Sequence, residues 1–257
     1  VPDDNLAYPV RVEMRGVGGS GFFLNTDKAV YFVTAKHVLY IPDETDLHDN
    51  GLTLQSYSKD VSQLLSNVIG VDLGVATYFG TVEKHPTADV AVVKIGDVVR
   101  TPTGEMTMVP VRGVVLTQIA PDGIVGVSAA TTTKRFDQVQ ISNDVFIFGY
   151  PNSIGLAQIP QVDQTRPLIR KGIVAGVNRA LHTIILDCEV FPGNSGGLVL
   201  EVENLGFQRH FRVIGVVSQY VPFDNARLRI ARNPTVLNSG YSVVTPIDYV
   251  LELIHEN

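Results

Sequence analysis

The chain has 257 residues, 45% hydrophobic and 18% charged, which excludes a disordered polymer and leaves room for one or two domains with a substantial core. A formal charge of −6 sets any phosphate backbone against net repulsion, so nucleic acid is not an expected partner. No stretch approaches the roughly 18 apolar residues of a membrane helix, so no membrane partner is expected.

Cys188 is the single cysteine, so no internal disulfide can form. That fits a reducing cytosol, while a periplasmic or secreted setting stays open where the core alone suffices. Cys188 itself reads as a small buried hydrophobe at the end of a strand. The first five residues, Val1-Pro2-Asp3-Asp4-Asn5, do not read as a signal peptide.

In chain order, residues 10–14 alternate as a first strand. A glycine-rich turn over 16–21 leads into a second strand at 22–24. Asn25-Thr26-Asp27-Lys28 has hairpin chemistry, and residues 29–34 return as a strand that delivers His37. Residues 41–50 form an acidic loop around His48, with Asp43, Glu44, Asp46 and Asp49. Their spacing does not match a calcium loop, and no metal site is expected. Val61, Leu64, Leu65 and Val68 recur at helical spacing and predict a short surface helix over 60–68. Strands are expected at 71–78 and 81–84. Residues 85–88 read as a turn that positions Asp89, with His85 on the surface because a proline follows it. Asp89 opens the apolar strand 89–95.

Residues 98–120 are expected to connect two halves. The second half shows strands at 113–119, 124–129, 136–141, 145–149, 173–177, 183–186, 198–203, 211–220 and 240–244. Short strands with Gly, Pro and Asn punctuation point to all-β barrels or sandwiches. The last segment changes period: Ile247, Val250, Leu251 and Ile254 share one face, after a capping Thr245 and a Pro246. A C-terminal helix is expected.

The chemistry gathers around Gly193-Asn194-Ser195-Gly196-Gly197. Glycines on both sides of one serine allow a tight turn that presents its hydroxyl and aims the N–H groups of Gly193 and Ser195 beside it. The alternative is a plain glycine-rich turn between strands. A serine nucleophile needs a base, and the base needs an orienting acid. Of six histidines, His37 alone closes a β-rich run at the edge of a packed sheet, before a polar loop. Asp89 stands at the mouth of an apolar strand, where a carboxylate is costly unless something meets it. An α/β-hydrolase elbow is the rival for Gly-x-Ser-x-Gly. It requires acid and histidine after the serine, in an alternating strand and helix pattern that this chain lacks.

Gly19-Ser20-Gly21-Phe22-Phe23-Leu24, Val33-Thr34-Ala35-Lys36-His37, Ala88-Asp89-Val90-Ala91-Val92-Val93-Lys94-Ile95 and Gly193-Asn194-Ser195-Gly196-Gly197 occur in this order. Together they resemble the trypsin/chymotrypsin-fold serine peptidases, with the bacterial Deg/Htr-type branch closest. The resemblance implies an all-β fold of two six-stranded-type antiparallel barrels with a C-terminal helix. It implies an N-terminal barrel over 1–110 carrying His37 and Asp89, and a C-terminal barrel over 111–257 carrying Ser195. His37 would be the general base, Asp89 its orienter and Ser195 the nucleophile. Gly193 and Ser195 would supply the oxyanion-hole N–H groups. A polypeptide substrate is implied, with no cofactor and no metal.

Two features refine that expectation. Many digestive relatives carry aspartate before the serine, where a freed N-terminal amine pairs with it; Asn194 cannot make that ion pair. Activity would be constitutive or controlled by an activator protein or an additional domain outside this chain, such as the PDZ domain that the Deg/Htr branch usually appends. The specificity pocket would be lined by Glu189, Ser218, Gln219 and Tyr220, with Ser218 supporting Asp89. Glu189 at the pocket base favours Arg or Lys in the substrate. Tyr220, standing where relatives have glycine, favours a small or apolar residue. A binding module that keeps the fold without catalysis is the second reading.

Overall fold

The computed structural model describes residues 3–43, 45–60, 62, 66–152, 159–206, 208–224 and 236–255. The first sheet is built from β1 (Pro9–Met14), β2 (Val17–Asn25), β3 (Ala29–Thr34), β4 (Gly51–Tyr57), β5 (Ser66–Asp72), β6 (Val82–Lys84), β7 (Ala91–Arg100), β8 (Met106–Pro110), β9 (Val114–Gln118) and β10 (Val127–Ser128). Their order is β6-β7-β3-β2-β1-β4-β5-β9; β8 pairs with β7, and β10 runs parallel to β2. The second unit is a closed barrel of β11 (Asp144–Gly149), β12 (Leu168–Asn178), β13 (Thr183–Asp187), β14 (Leu198–Leu205), β15 (Gln208–Asp224) and β16 (Val236–Pro246), in the order β11-β12-β13-β16-β15-β14.

The protein is therefore all-β, as expected, with a six-stranded second barrel. The first sheet is a half-barrel rather than a closed six-strand ring. β6 and β8 pair with successive halves of the outer edge of β7, so β9 at the far end of the order has no free edge there to close upon. Strand pairing carries this sheet past residue 110 as far as Ser128, and the barrel begins at Asp144.

Alternation accounts for most strands. In β1, Val10, Val12 and Met14 are buried while Arg11 and Glu13 point outward; in β4, Leu52 and Leu54 are buried. Four predicted elements differ. Residues 73–78 form a helix, not a strand, because the Asp72 carboxylate caps it by accepting the Val75 N–H at 2.9 Å. Residues 66–68 belong to β5, so the helix expected over 60–68 is not formed there; residues 61 and 63–65 lie outside the described residues. Residues 136–138 make a single 3-10 turn instead of a strand, and within 124–129 only Val127 and Ser128 pair.

The helix α1 (Lys36–Leu39) is one turn long, α2 is Leu73–Tyr78, α3 is Ala129–Thr132, and α4 is Asp248–Leu253. Val250 and Leu251 of α4, with Ile247 and Ile254 on either side of it, are all buried, as their spacing predicted. They pack into the core of the first sheet and against β7, not only on the second barrel. The same core takes in Phe148, Leu198, Val213 and Val216 of the barrel. One apolar cluster thus spans both halves and fixes their relative position. A second cluster, including Ile147, Val174, Leu186, Ile214 and Val244, fills the barrel itself.

The segment joining the halves is anchored by a buried ion cluster. The Lys134 ammonium lies 3.0 Å from Glu201 and 2.7 Å from Glu203. Glu201 is fully buried, and its Oε1 also accepts from Gln140 N–H (3.1 Å) and Asn143 Nδ2 (2.7 Å). The hydrogen bond from Lys134, with help from its charge and from Arg212, holds Glu203 below the ordinary carboxylate range. That stabilisation is present at neutral pH and is lost as pH falls through the depressed value. Lys134→Met leaves Glu201 buried without its cation, and should lower unfolding stability by about 3–5 kcal/mol in denaturant titrations at pH 7. A second change, Glu201→Gln, should recover part of the loss. A cost under about 0.5 kcal/mol would show that the cluster is not an anchor.

Candidate active site

His37 lies on α1, not at the end of a strand. β3 stops at Thr34, and the single helical turn buries Val38 and Leu39, which leaves the His37 ring about half exposed at the sheet edge. Asp89 comes from the turn before β7. Its two oxygens hold His37 twice: Oδ2 lies 2.8 Å from Nδ1, and Oδ1 accepts the His37 backbone N–H at 3.1 Å. The carboxylate therefore fixes both the ring and the main chain that carries it. With Nδ1 donating to Asp89, Nε2 is the ring nitrogen left to face the cleft.

Ser195 enters the same cleft from the second barrel. The cleft, about 550 Å³, is lined among others by His37, Asp89, Val190, Phe191, Ser195 and Tyr220. Among the described residues, the Ser195 hydroxyl makes no hydrogen bond.

The loop carrying Ser195 is held through its backbone. Asn194 N–H donates to Phe191 C=O at 2.9 Å, and the Asn194 side-chain oxygen accepts Phe191 N–H at 2.9 Å. Gly197 N–H donates to Asn194 C=O at 2.9 Å, Gly196 N–H to Val217 C=O at 2.8 Å, and Asn152 N–H to Pro192 C=O at 2.6 Å. Among the described residues, no acceptor meets the N–H of Gly193 or of Ser195. A trans peptide sets each N–H opposite the carbonyl before it. Anchoring Pro192 C=O and Asn194 C=O therefore turns the two free N–H groups away from those anchors. Gly193 has φ +93°, a conformation that excludes most side chains. At Gly196 (φ +85°) a Cβ would collide with the Ser20 carbonyl and the Thr34 hydroxyl.

Ser20 of β2 joins the halves at this point. Its hydroxyl donates to Gly193 C=O (2.6 Å) and accepts Tyr150 N–H (2.9 Å), while its own N–H donates to Ser195 C=O (2.9 Å). In the sequence Ser20 stands out only as part of the Gly19-Ser20-Gly21 motif. Its signal was its place between two glycines in a strand edge.

The specificity residues separate. Ser218, Gln219 and Tyr220 line the cleft, with Val190, Phe191 and Pro192. Glu189 is not among the lining residues; it lies 3.6 Å from Arg170, which also stacks on the Phe191 ring at 4.6 Å. Ser218 is buried and its hydroxyl bonds Thr245 at 2.5 Å, not Asp89. Cys188 is buried as expected, and burial pushes its thiol up to about 11.

Two histidines differ from their sequence reading. His48, placed in a solvated acidic loop, reaches back to the His37 carbonyl with Nε2 at 3.2 Å. His85, expected on the surface, is buried. Neither contact had a local sequence signal, because each depends on chain distant in sequence or on a loop closure.

The fold and this cleft define a chymotrypsin-type peptidase architecture. The family comparison agrees: residues 19–205 match the trypsin-like peptidase domain, and the chain belongs to that family. Among solved structures, the chain is similar to Deg5, with 16% identity and a TM-score of 0.52 over 97% of this chain and 88% of that one. At that identity the likeness concerns the fold. No curated protein sequence matches the chain significantly.

Proposed function

We propose that the protein is a serine endopeptidase in which Ser195 is the nucleophile, His37 the general base and Asp89 its orienter. Two observations support this reading: the His37–Asp89 pair and Ser195, from opposite halves, line one cleft, and among the described residues no acceptor meets the N–H of Gly193 or Ser195. In the mechanism, Ser195 Oγ attacks the scissile carbonyl carbon as His37 Nε2 takes its proton. The carbonyl oxygen becomes an oxyanion facing Gly193 N–H and Ser195 N–H. Collapse breaks the C–N bond, and His37 returns its proton to the leaving amine, leaving an acyl-serine. Water then repeats the sequence with His37 as base, releasing the acid and restoring Ser195.

Asp89 stabilises the imidazolium formed at each step and keeps the ring in the tautomer that exposes Nε2. That the Ser195 hydroxyl makes no hydrogen bond among the described residues is compatible with this role, since catalytic hydrogen bonds tighten when substrate binds. It also supports a second reading, a latent protease completed by an activator. Asn194 closes the loop by its own side chain, so the turn needs no freed N-terminal amine to hold it.

The cleft favours small or apolar residues on the acyl side of the cut bond. Val190, Phe191 and Pro192 present little charge, and the Glu189 carboxylate is turned to Arg170.

A fluorophosphonate should add once to the wild-type protein by intact mass and not at all to Ser195→Ala. His37→Ala should slow peptide hydrolysis by roughly 10³-fold or more. Absence of the adduct from a folded wild type would support the latent or non-catalytic reading, and labelling of Ser195→Ala would move the nucleophile elsewhere. In a peptide library, kcat/KM should be higher for Ala, Val or Leu than for Lys or Arg, and Glu189→Gln should leave that order unchanged. A preference for Lys or Arg that disappears in Glu189→Gln would restore Glu189 to the pocket base.

A further inference from the structure

We infer that His85 is a positioning residue for the active site: its neutral ring accepts the backbone N–H groups of the Asp89 turn through Nδ1 and thereby fixes the His37–Asp89 pair. The inference rests on the proposed roles of His37 and Asp89.

His85 is 7% exposed. Its Nδ1 lies 2.9 Å from Ala88 N–H and 3.3 Å from Thr87 N–H, both of which can only donate. Nδ1 must therefore be the unprotonated nitrogen, and Nε2 carries the hydrogen, which it gives to Glu252 of α4 at 3.3 Å. The ring packs on Tyr249 of the same helix, with centroids 4.6 Å apart. A buried ring with both nitrogens engaged is held in one orientation.

That orientation passes to Asp89 through the main chain. Ala88 N–H is fixed by the ring, and Ala88 C=O accepts Val90 N–H at 3.0 Å. The peptide planes on both sides of Asp89 are thereby set, because Val90 N–H belongs to the unit after it and Ala88 C=O to the unit before it. His85 N–H closes the turn onto Val90 C=O at 3.0 Å, and the His85 carbonyl accepts from the buried Lys36 ammonium at 3.1 Å. Lys36 precedes His37 on α1. His85 thus ties the residue before the base to the residue before the acid, and braces both against α4. An approach error of about 1 Å in such a pair can cost up to roughly a hundredfold in rate.

The test compares His85→Leu, His85→Asn and His85→Gln in the full chain. Asn places its side-chain oxygen where Nδ1 stood, whereas Gln reaches toward the Nε2 position and Leu has no acceptor. Two readouts are used: kcat and KM for peptide hydrolysis, and the low-field proton resonance of His37 Nδ1–H bonded to Asp89. His85→Asn should keep kcat within about threefold, while Gln and Leu lose about tenfold or more with KM little changed. The low-field signal should persist in Asn and broaden or vanish in Gln and Leu. If Leu does not fold, the Asn and Gln pair decides alone. Equal kcat and signal in all folded variants would overturn the inference, and so would an Asn variant as impaired as Gln. If the wild type neither turns over peptide nor labels at Ser195, the catalytic proposal fails. The His37 signal still decides whether His85 holds the pair.

Discussion

A peptide unit cannot turn its carbonyl one way without turning the next N–H the other, and the candidate site depends on that constraint. Asn152 N–H holds Pro192 C=O and Gly197 N–H holds Asn194 C=O. Among the described residues these two bonds leave Gly193 N–H and Ser195 N–H without acceptors, the arrangement that the proposed oxyanion hole requires. The glycine at 193 tolerates the required φ, and the one at 196 lets β2 and β3 approach. A side chain at either position would have to displace the backbone that orients the donors.

The rest of the molecule keeps the two halves of this site in register. His37 and Asp89 belong to the half-barrel and Ser195 to the closed barrel, so their relation depends on the interface. Ser20 contributes three hydrogen bonds there, one of them to Ser195 C=O and another to Gly193 C=O. The shared apolar cluster adds non-directional burial across the same boundary, and α4 extends it onto the first sheet. Lys134 and its two glutamates anchor the connecting segment at a distance from the cleft. Directional bonds thus lie near the chemistry, while packing and the ion cluster secure the frame.

Much of this was legible in the sequence because it is local. Alternation in residues 10–14, the apolar face of residues 247–254 and the glycines around Ser195 each carry their meaning within a few residues. The sequence also singled out His37 and Asp89, and the structure brings them to 2.8 Å. What was not legible depends on contacts made after folding. Residues 73–78 looked like a strand from their Val, Thr and Tyr, until Asp72 capped them as a helix. The family resemblance put Glu189 at a pocket position, but its carboxylate lies 3.6 Å from Arg170 on β12. His85 looked exposed beside a proline, yet α4 arrives from 167 positions further along to cover it. The closure of the first sheet failed for the same kind of reason, since β6 and β8 both claim the edge of β7.

The proposed mechanism requires the Gly193 and Ser195 N–H groups to be preset toward the oxyanion. The most direct measurement is a crystal structure of the protein phosphonylated by a fluorophosphonate, compared with the unreacted protein. The account predicts phosphorus bonded to Ser195 Oγ, with its oxygen about 2.7–3.1 Å from both N–H groups and the 192–195 backbone unmoved. A flipped Pro192–Gly193 peptide in the unreacted protein, or a phosphonyl oxygen bonded to neither N–H, would contradict it.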